Sequence, residues 1–393
     1  MEILKAFKFR IYPTNSQHAE LAKQFGAARF VYNHYRAVRE GFYIDCGSGL
    51  NYNDCANDLT QQLKVEFPWL KEADSQALQQ ALKDLDRAYV NFFEGRADYP
   101  NFHSKHDKQS IRYPQRFKVN DKRVYLPKVG WVKCVSGAPR ARTIEGVMKN
   151  CTVTKTKSGR YFVSIQVEME IEDPTPKMEA VGIDLGLTTF AALSTGEKIE
   201  KPKHLYRSQR RLQIRQRRLS RKVKGSKHRN HARLPVAVLH ERVANQRKDF
   251  QHKLSRHLVD NYGSISFESL NVAGMVKNHN LAKAISDASW SQFVGFCEYK
   301  QAWANGQVLR VDRSGTLWVP SSKLCSDCGE KHKNLTLNIR QWVCINCGVI
   351  HDRDTNAAVN ILNQTMAGAA KSHATGDMIG ASRLISPSEA QAL

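Results

Sequence analysis

Three carboxylates stand where a chain could bring them to one place. Asp184 closes the apolar run "AVGI", Glu268 closes "GSISF", and Asp354 opens the amphipathic stretch "DTNAAVNIL". Two strand ends and a helix start can deliver three acids to one edge of a sheet. Carboxylates held that close repel one another and call for divalent cations, and an all-oxygen donor set suits Mg2+ or Mn2+. Two such ions about 3.5–4 Å apart activate a water and stabilise the leaving oxygen in phosphodiester hydrolysis. Taken singly, an Asp or Glu is most often a solvated surface residue. The order and placement of the three together carry the reading.

Four thiols form a second constellation. Cys325 and Cys328 in "CSDCG" and Cys344 and Cys347 in "CINCG" make a Cys-x2-Cys-x15-Cys-x2-Cys pattern. Four thiolates satisfy tetrahedral Zn2+ with no position left open, so the expected site is structural. His332 and His351 lie nearby, but the cysteine set is complete without them. Cys46, Cys55, Cys134, Cys151 and Cys297 are scattered and read as reduced thiols, which fits a cytoplasmic protein and not a secreted disulfide scaffold.

The 393 residues carry a formal net charge of +23, which implies a polyanionic partner. The excess is densest between residues 205 and 257. There Leu205, Leu212, Leu219, Leu239, Val243, Phe250, Leu254 and Leu258 supply an apolar stripe, and Arg210, Arg211, Arg215, Arg217, Arg218, Arg221 and Lys222 crowd the other faces. Like charges at helical spacing repel unless an anion neutralises them, so a basic helix in contact with nucleic acid is expected. No run approaches the roughly 20 apolar residues that span a bilayer, and the N-terminus does not read as a signal peptide.

The elements that must position these groups follow from periodicity. Residues 1–12 alternate as a strand until Pro13. From Asn15 to about Asn101 the apolar spacing is helical, with Ser75 as the expected N-cap of a helix and Tyr32, Tyr35, Tyr89, Phe92 and Phe93 as core aromatics. From about Gln109 to Glu170 strands return, so the first strand can join this sheet and make the helical block an insertion. "EDPTP" at 172–176 reads as a linker. Beyond it come a hairpin ending its first strand at Asp184, the basic helix, a strand ending at Glu268, a helix over "DASWSQFVGFCEYKQAWANG" and a strand "QVLRVD". The segment from about Thr365 lacks periodicity and reads as a disordered tail.

In order along the chain, "FRIYPT", "GAARFVYNHY", "GIDLGLTTFA", "FESLNVAGM", "PSSKLCSDCG", "WVCINCG" and "HDRDTNAAVNIL" resemble the TnpB (OrfB) proteins of insertion-sequence transposons, relatives of the type V CRISPR nucleases. The resemblance implies a multidomain α+β chain. A RuvC-type, RNase H-like nuclease (177–312 and 349–364) would be interrupted by a zinc ribbon (313–348). A β-rich wedge (1–14 and 103–176) would carry an inserted helical recognition lobe (15–102), and 365–393 would be the tail. It implies RNA-guided endonuclease cleavage of double-stranded DNA beside a short flanking motif. Its partners would be a guide RNA from the transposon end and target DNA, with one protein per RNA. Asp184, Glu268 and Asp354 would be the catalytic metal ligands. Tyr52, Gln76 and Gln79 match positions that would read the flanking motif; glutamine can pair an adenine edge. The chain departs from the family by extra residues near Ser314–Leu317, which lengthen the approach to the ribbon. The alternative reading is an RNA-guided transcriptional regulator that binds without cutting, but such a protein would be expected to lose an acid or the ribbon. A strand-transferring transposase is disfavoured because no His-hydrophobe-His motif with a partner tyrosine is present.

Overall fold

Alternation fixes the first strand, β1 (Glu2–Tyr12), in which Ile3, Phe7 and Ile11 turn inward and Lys8, Arg10 and Tyr12 outward. The computed structural model describes residues 1–120, 122–135, 144–311, 321–332, 335–336 and 338–375; for Val135, Lys203, His204 and 369–375 it describes the backbone alone. The lengthened approach near Ser314–Leu317 lies outside the described residues. The chain divides into two units, residues 1–171 with 219–238 and residues 172–218 with 239–393.

In the first unit β1 is followed by α1 (Asn15–Cys46), α2 (Tyr52–Asp58), a π-turn at Leu59–Leu63, α3 (Lys64–Glu66) and α4 (Ser75–Phe93). Six strands then follow: β2 (Gln109–Tyr113), β3 (Lys118–Val119), β4 (Arg123–Leu126), β5 (Gly130–Val135), β6 (Val147–Lys155) and β7 (Tyr161–Glu170). They join β1 in an antiparallel sheet of order β2-β6-β7-β1-β5-β4-β3, in which β1 lies between β7 and β5. Helices and sheet share one core: Phe25, Val31, Tyr35, Leu78 and Leu82 pack with Ile111, Val153, Val163 and Ile165. Each such side chain contributes about 1.5–3 kcal/mol by leaving water.

Two expectations are corrected here. The N-cap of α4 is Asp74, not Ser75: the Asp74 carboxylate accepts the Ala77 N–H at 3.0 Å and also pairs with Arg116 at 3.1 Å. Phe93 is 78% exposed and is no core residue, whereas Tyr32, Tyr35 and Tyr89 are buried. Phe93 falls on the last residue of α4, where the helix leaves the core.

The second unit is built on a five-stranded mixed sheet of order β10-β9-β8-β11-β12. Its strands are β8 (Ala180–Leu185), β9 (Thr189–Leu193), β10 (Lys198–Glu200), β11 (Ser264–Glu268) and β12 (Gln307–Val311). The first three form an antiparallel meander, and β8, β11 and β12 run parallel. Parallel strands are buried on both faces. One face of β8 and β11 meets a core of Ile183, Phe190, Leu258, Phe267 and Phe293. The helices between β10 and β12 are α5 (Lys203–Ser220), α6 (Lys227–Asn261), α7 (Val272–Val276), α8 (Ala282–Ala288) and α9 (Trp290–Trp303). The expected single basic helix is therefore two, broken where Gly225 adopts φ +86°.

After β12 the ribbon contributes a two-stranded piece, β13 (Gln341–Val343) with β14 (Ile350–Asp352), and the chain enters α10 (Arg353–Thr375). The helix runs past Thr365, which is buried and bonded to Ser266 Oγ at 2.6 Å, so the expected disordered tail does not begin there. Residues 376–393 lie outside the description. The backbone of α10 rests on β8 at Gly182, where an added Cβ would stand 2.0 Å from the Ala358 carbonyl oxygen. No flexible side-chain end is available there to yield.

Gly182→Ala should therefore destabilise the protein by about 1–3 kcal/mol, the range for overpacking. Gly26→Ala, in α1 with nothing within 4 Å of its Cβ, should be neutral or stabilising by up to about 1 kcal/mol. Thermal unfolding of the full chain with each change measures both; equal melting temperatures would refute the close approach.

Candidate active site and metal centre

The strand register brings the first two acids together. Ile183 pairs with Phe267 across the parallel strands β8 and β11, so Asp184 and Glu268, one residue further on each, end side by side at the carboxyl edge of the sheet. In open α/β sheets, ligands bind outside such edges. The third acid arrives through α10. Gly182 and Asp184 share one face of β8, about 7 Å apart along the strand. Ala358 and Asp354 are one helical turn apart, about 6 Å. With Ala358 resting on Gly182, Asp354 reaches the level of Asp184. All three acids line one cleft of about 450 Å³, together with Leu185, Thr189, Trp290, Arg340 and Arg353.

The electrostatics show what this convergence costs. Burial first, then the facing carboxylates of Glu268 and Asp354, push the Asp184 carboxyl up to about 7; Arg353 acts in the opposite direction. Arg340 reaches the same cleft and lies 3.3 Å from Asp354 Oδ1. Three acids against two guanidinium groups, one of them buried, leave an excess of hard oxygen donors. That donor set fits Mg2+ or Mn2+.

The start of α10 is fixed by its own polar residues. Asp352 is the N-cap: Oδ1 accepts the Thr355 N–H at 3.1 Å and Oδ2 accepts from Lys198 at 2.7 Å. Burial opposes its ionisation, but the lysine and the N–H outweigh that and hold its carboxyl below the usual range. Buried Arg353 donates to the Thr336 carbonyl at 2.6 Å. Buried Asn356 accepts the Ser326 N–H at 2.9 Å and donates to the Leu324 carbonyl at 2.7 Å. Buried Asn360 donates to the carbonyls of Ser321 and Leu324. The helix bearing Asp354 is thus tied along one face to the ribbon, at Ser321, Leu324, Ser326 and Thr336. Sequence reasoning missed Arg340, Arg353 and both asparagines. "DRDTNAAVN" displays three of them at helical spacing, whereas nothing in the sequence singles out Arg340.

In the ribbon, the four cysteine sulfurs lie within 4.8 Å of one another, with Cys325–Cys347 and Cys328–Cys344 each at 3.6 Å. Four sulfurs about 2.3 Å from one tetrahedral ion would stand about 3.8 Å apart, so the cluster fits zinc. Each knuckle closes on a glycine at positive φ, Gly329 and Gly348. Without an ion the thiols are shifted in opposite directions: the backbone N–H of Glu330, then the Asn346 side chain, lower Cys328, whereas Cys325 and Cys347 are raised, so the fit to zinc rests on the sulfur spacing.

The expected nucleic-acid residues are placed as follows. Arg210, Arg211, Arg215, Arg217, Arg218 and Arg221 are exposed in and just beyond α5, while its seam of Leu205, Ser208 and Leu212 is buried. Lys222 is partly buried, and its carbonyl accepts from Arg229. Gln76 and Gln79 share a face of α4 with Lys83, whose ammonium lies 5.5 Å from the ring of Tyr52. Gln79 is exposed; Gln76 donates to Gln115 at 3.1 Å.

Comparisons with known proteins agree across most of the chain. Residues 164–279 match a family described as OrfB_IS605, "Probable transposase", and residues 290–361 match "Cas12f1-like, TNB domain". Residues 1–43 match "Helix-turn-helix domain", although here they form β1 and all but the last three residues of α1. A Streptomyces pristinaespiralis protein named "Putative RNA-guided DNA endonuclease" is 40% identical over 94% of this chain and 91% of its own length. An Escherichia coli K12 protein, "Putative RNA-guided DNA endonuclease InsQ", is 35% identical over 92% of both. A solved Cas12f1-sgRNA-target DNA complex matches over 92% of this chain and 99% of that chain at 16% identity, with a TM-score of 0.35.

The raised Asp184 carboxyl makes a signed prediction. Ionising it in the metal-free fold costs roughly 4 kcal/mol, a penalty absent below about pH 4 and complete above about pH 7. In chelator, Asp184→Asn should melt above wild type at pH 8 and with it at pH 4. Saturating Mg2+ should stabilise wild type and not the variant. A pH-independent difference between the two would refute this account.

Proposed function

The chain belongs to the OrfB (TnpB) family of insertion-sequence proteins, and from that premise we propose that it is an RNA-guided DNA endonuclease. The convergence of Asp184, Glu268 and Asp354 on one cleft is the observation that carries the reading. The sheet order, with an antiparallel meander beside a parallel pair and a helix laid across it, supports an RNase H-like, RuvC-type core. The four-cysteine cluster supports a structural zinc ribbon inserted before the last acid.

In this proposal the three acids hold divalent cations, Mg2+ or Mn2+. The cations supply an activated water and charge neutralisation at the scissile phosphate. The chain's own residues do the rest. Asp184 and Glu268 present oxygens from the rigid sheet edge, and Asp354 presents its own from the first turn of α10. Asp184 must give up a proton on loading, which its position near neutrality allows. Arg340 offsets the charge on Asp354 at the ribbon side of the cleft.

A guide RNA from the transposon end and double-stranded target DNA are the proposed partners, with base pairing reading the sequence and the protein holding the backbone. One protein would serve one RNA, in the cytoplasm. The arginines of α5 would track phosphates, and Tyr52, Gln76 and Gln79 would face the flanking motif. No described helix is long and apolar enough to cross a membrane.

The deciding experiment sequences the RNA that co-purifies from the native locus and then tests cutting with it. A discrete RNA with a constant part and a 3′ end that varies with genomic site is expected; only heterogeneous cellular RNA would defeat the guided reading. Ala at Asp184, Glu268 or Asp354 should each abolish cutting and leave RNA affinity intact. Undiminished cutting by the Asp184 variant would end the catalytic assignment. Arg211→Ala and Arg215→Ala should each reduce the salt slope of RNA binding by about 1, as loss of one phosphate contact does; an unchanged slope would remove that residue from the interface.

A further inference from the structure

The four cysteines complete a ligand set without His351, and the structure gives that residue a different task. It is buried at 6% exposure, and its Nε2 lies 3.0 Å from Cys325 Sγ. The ring packs on Trp342, its register partner across β13 and β14, at 4.7 Å between centroids. Among the described residues, the carboxylate paired with Nε2 is that of Asp327, which at 3.8 Å is beyond hydrogen-bond distance and is more than half exposed. Nε2 and the sulfur are close enough to share a hydrogen, and once Cys325 is a metal-bound thiolate only Nε2 can supply it.

The thiolate has the complementary need. Four thiolates around a divalent ion leave two negative charges on the cluster. Cys328 and Cys347 are exposed and can be solvated, whereas Cys325 and Cys344 are buried and cannot; of these two it is Cys325 that His351 Nε2 faces. A buried charge is stabilised only by donors that replace water. His351 is also three residues before Asp354, and the intervening residues are held at every step. Asp352 caps α10, and Arg353 N–H donates to the Arg340 carbonyl at 2.8 Å. Arg340 in turn meets Asp354 at 3.3 Å.

We propose that His351 is a positioning residue: its Nε2–H donates to the Cys325 thiolate and so ties the placement of Asp354 in the nuclease cleft to metal occupancy of the ribbon. Zinc then has a role beyond folding the ribbon, because the ribbon without it releases one anchor of the third acid. The inference rests on the zinc reading of the cluster.

The test uses the full chain bound to its RNA, as wild type, His351→Gln and His351→Phe. Gln keeps an N–H donor near the same place, and Phe keeps only the ring that packs on Trp342. Zinc affinity, measured against a competing chelator, should fall about 10–100-fold in the Phe variant and stay near wild type in the Gln variant. In zinc-saturated protein, the Mn2+ concentration for half-maximal cutting should rise severalfold with Phe and not with Gln. The wild type gives a check independent of either variant: with NMR-active cadmium in the cluster, the His351 Nε2–H should show scalar coupling to the metal through sulfur. Absence of that coupling, or a metal–nitrogen bond at about 2.0 Å by X-ray absorption, overturns the proposal, as does equal zinc affinity in all three chains. Wild type that binds no zinc would instead overturn the structural-metal reading itself, and is seen before any variant is compared.

Discussion

Helix α10 lies on strand β8 without a side chain between them, and the site depends on that contact. Gly182 lets the Ala358 carbonyl approach the strand closely. The separation fixes where the first turn of the helix ends up, and hence where Asp354 stands relative to Asp184. A larger residue would lift the helix off the sheet and carry the third acid away from the other two. The remainder of the C-terminal unit can be read as support for this approach. Ile183 and Phe267 anchor the opposite face of the sheet, and Ala357 and Ala358 give the helix a small-residue underside beside buried Ile361.

Such an approach works against electrostatics. Three carboxylates in one cleft repel, and burial first, then that repulsion, displaces Asp184 toward neutrality. The fold sustains the arrangement through contacts that are not themselves acidic. Arg353 and Arg340 supply nearby positive charge, and Asn356 and Asn360 bind the ribbon backbone to the helix through buried hydrogen bonds. Each buried hydrogen bond contributes only about 0.5–1.5 kcal/mol net, yet removing one partner strands the other at about 1–3 kcal/mol. The clasp is therefore more a matter of specificity than of stability: the helix has one place to sit.

The long basic segment shows where periodicity reads well and where it fails. Its apolar stripe was legible because a helix face buried against a sheet repeats every three to four residues. Its break was not, because Gly225 is one glycine in a polar stretch, and only its positive φ marks the turn. The Ser75 cap failed for a related reason: Asp74 and Ser75 are adjacent, both can cap, and the choice fell to Asp74, which Arg116, distant in sequence, also engages. The helix continues beyond Thr365, and that residue bonds Ser266 of the strand beneath it, a contact no local pattern announces.

By itself the sequence determined the chemistry available. The cysteine spacing pointed to a closed four-thiolate cluster, the net charge to a polyanionic partner, and the order of strand end, strand end and helix start to three acids whose oxygens suit divalent cations. These features are local or compositional, so they survive without coordinates. Tertiary structure alone decided that the acids meet, that Arg340 enters from the ribbon to face Asp354, and that His351 turns inward to the Cys325 sulfur. Each of those depends on the register between β8 and β11, on the depth of α10 over Gly182, or on the pairing of β13 with β14. Register and depth are set by packing between segments far apart in the chain, and packing at that range leaves no periodic trace in the residues themselves.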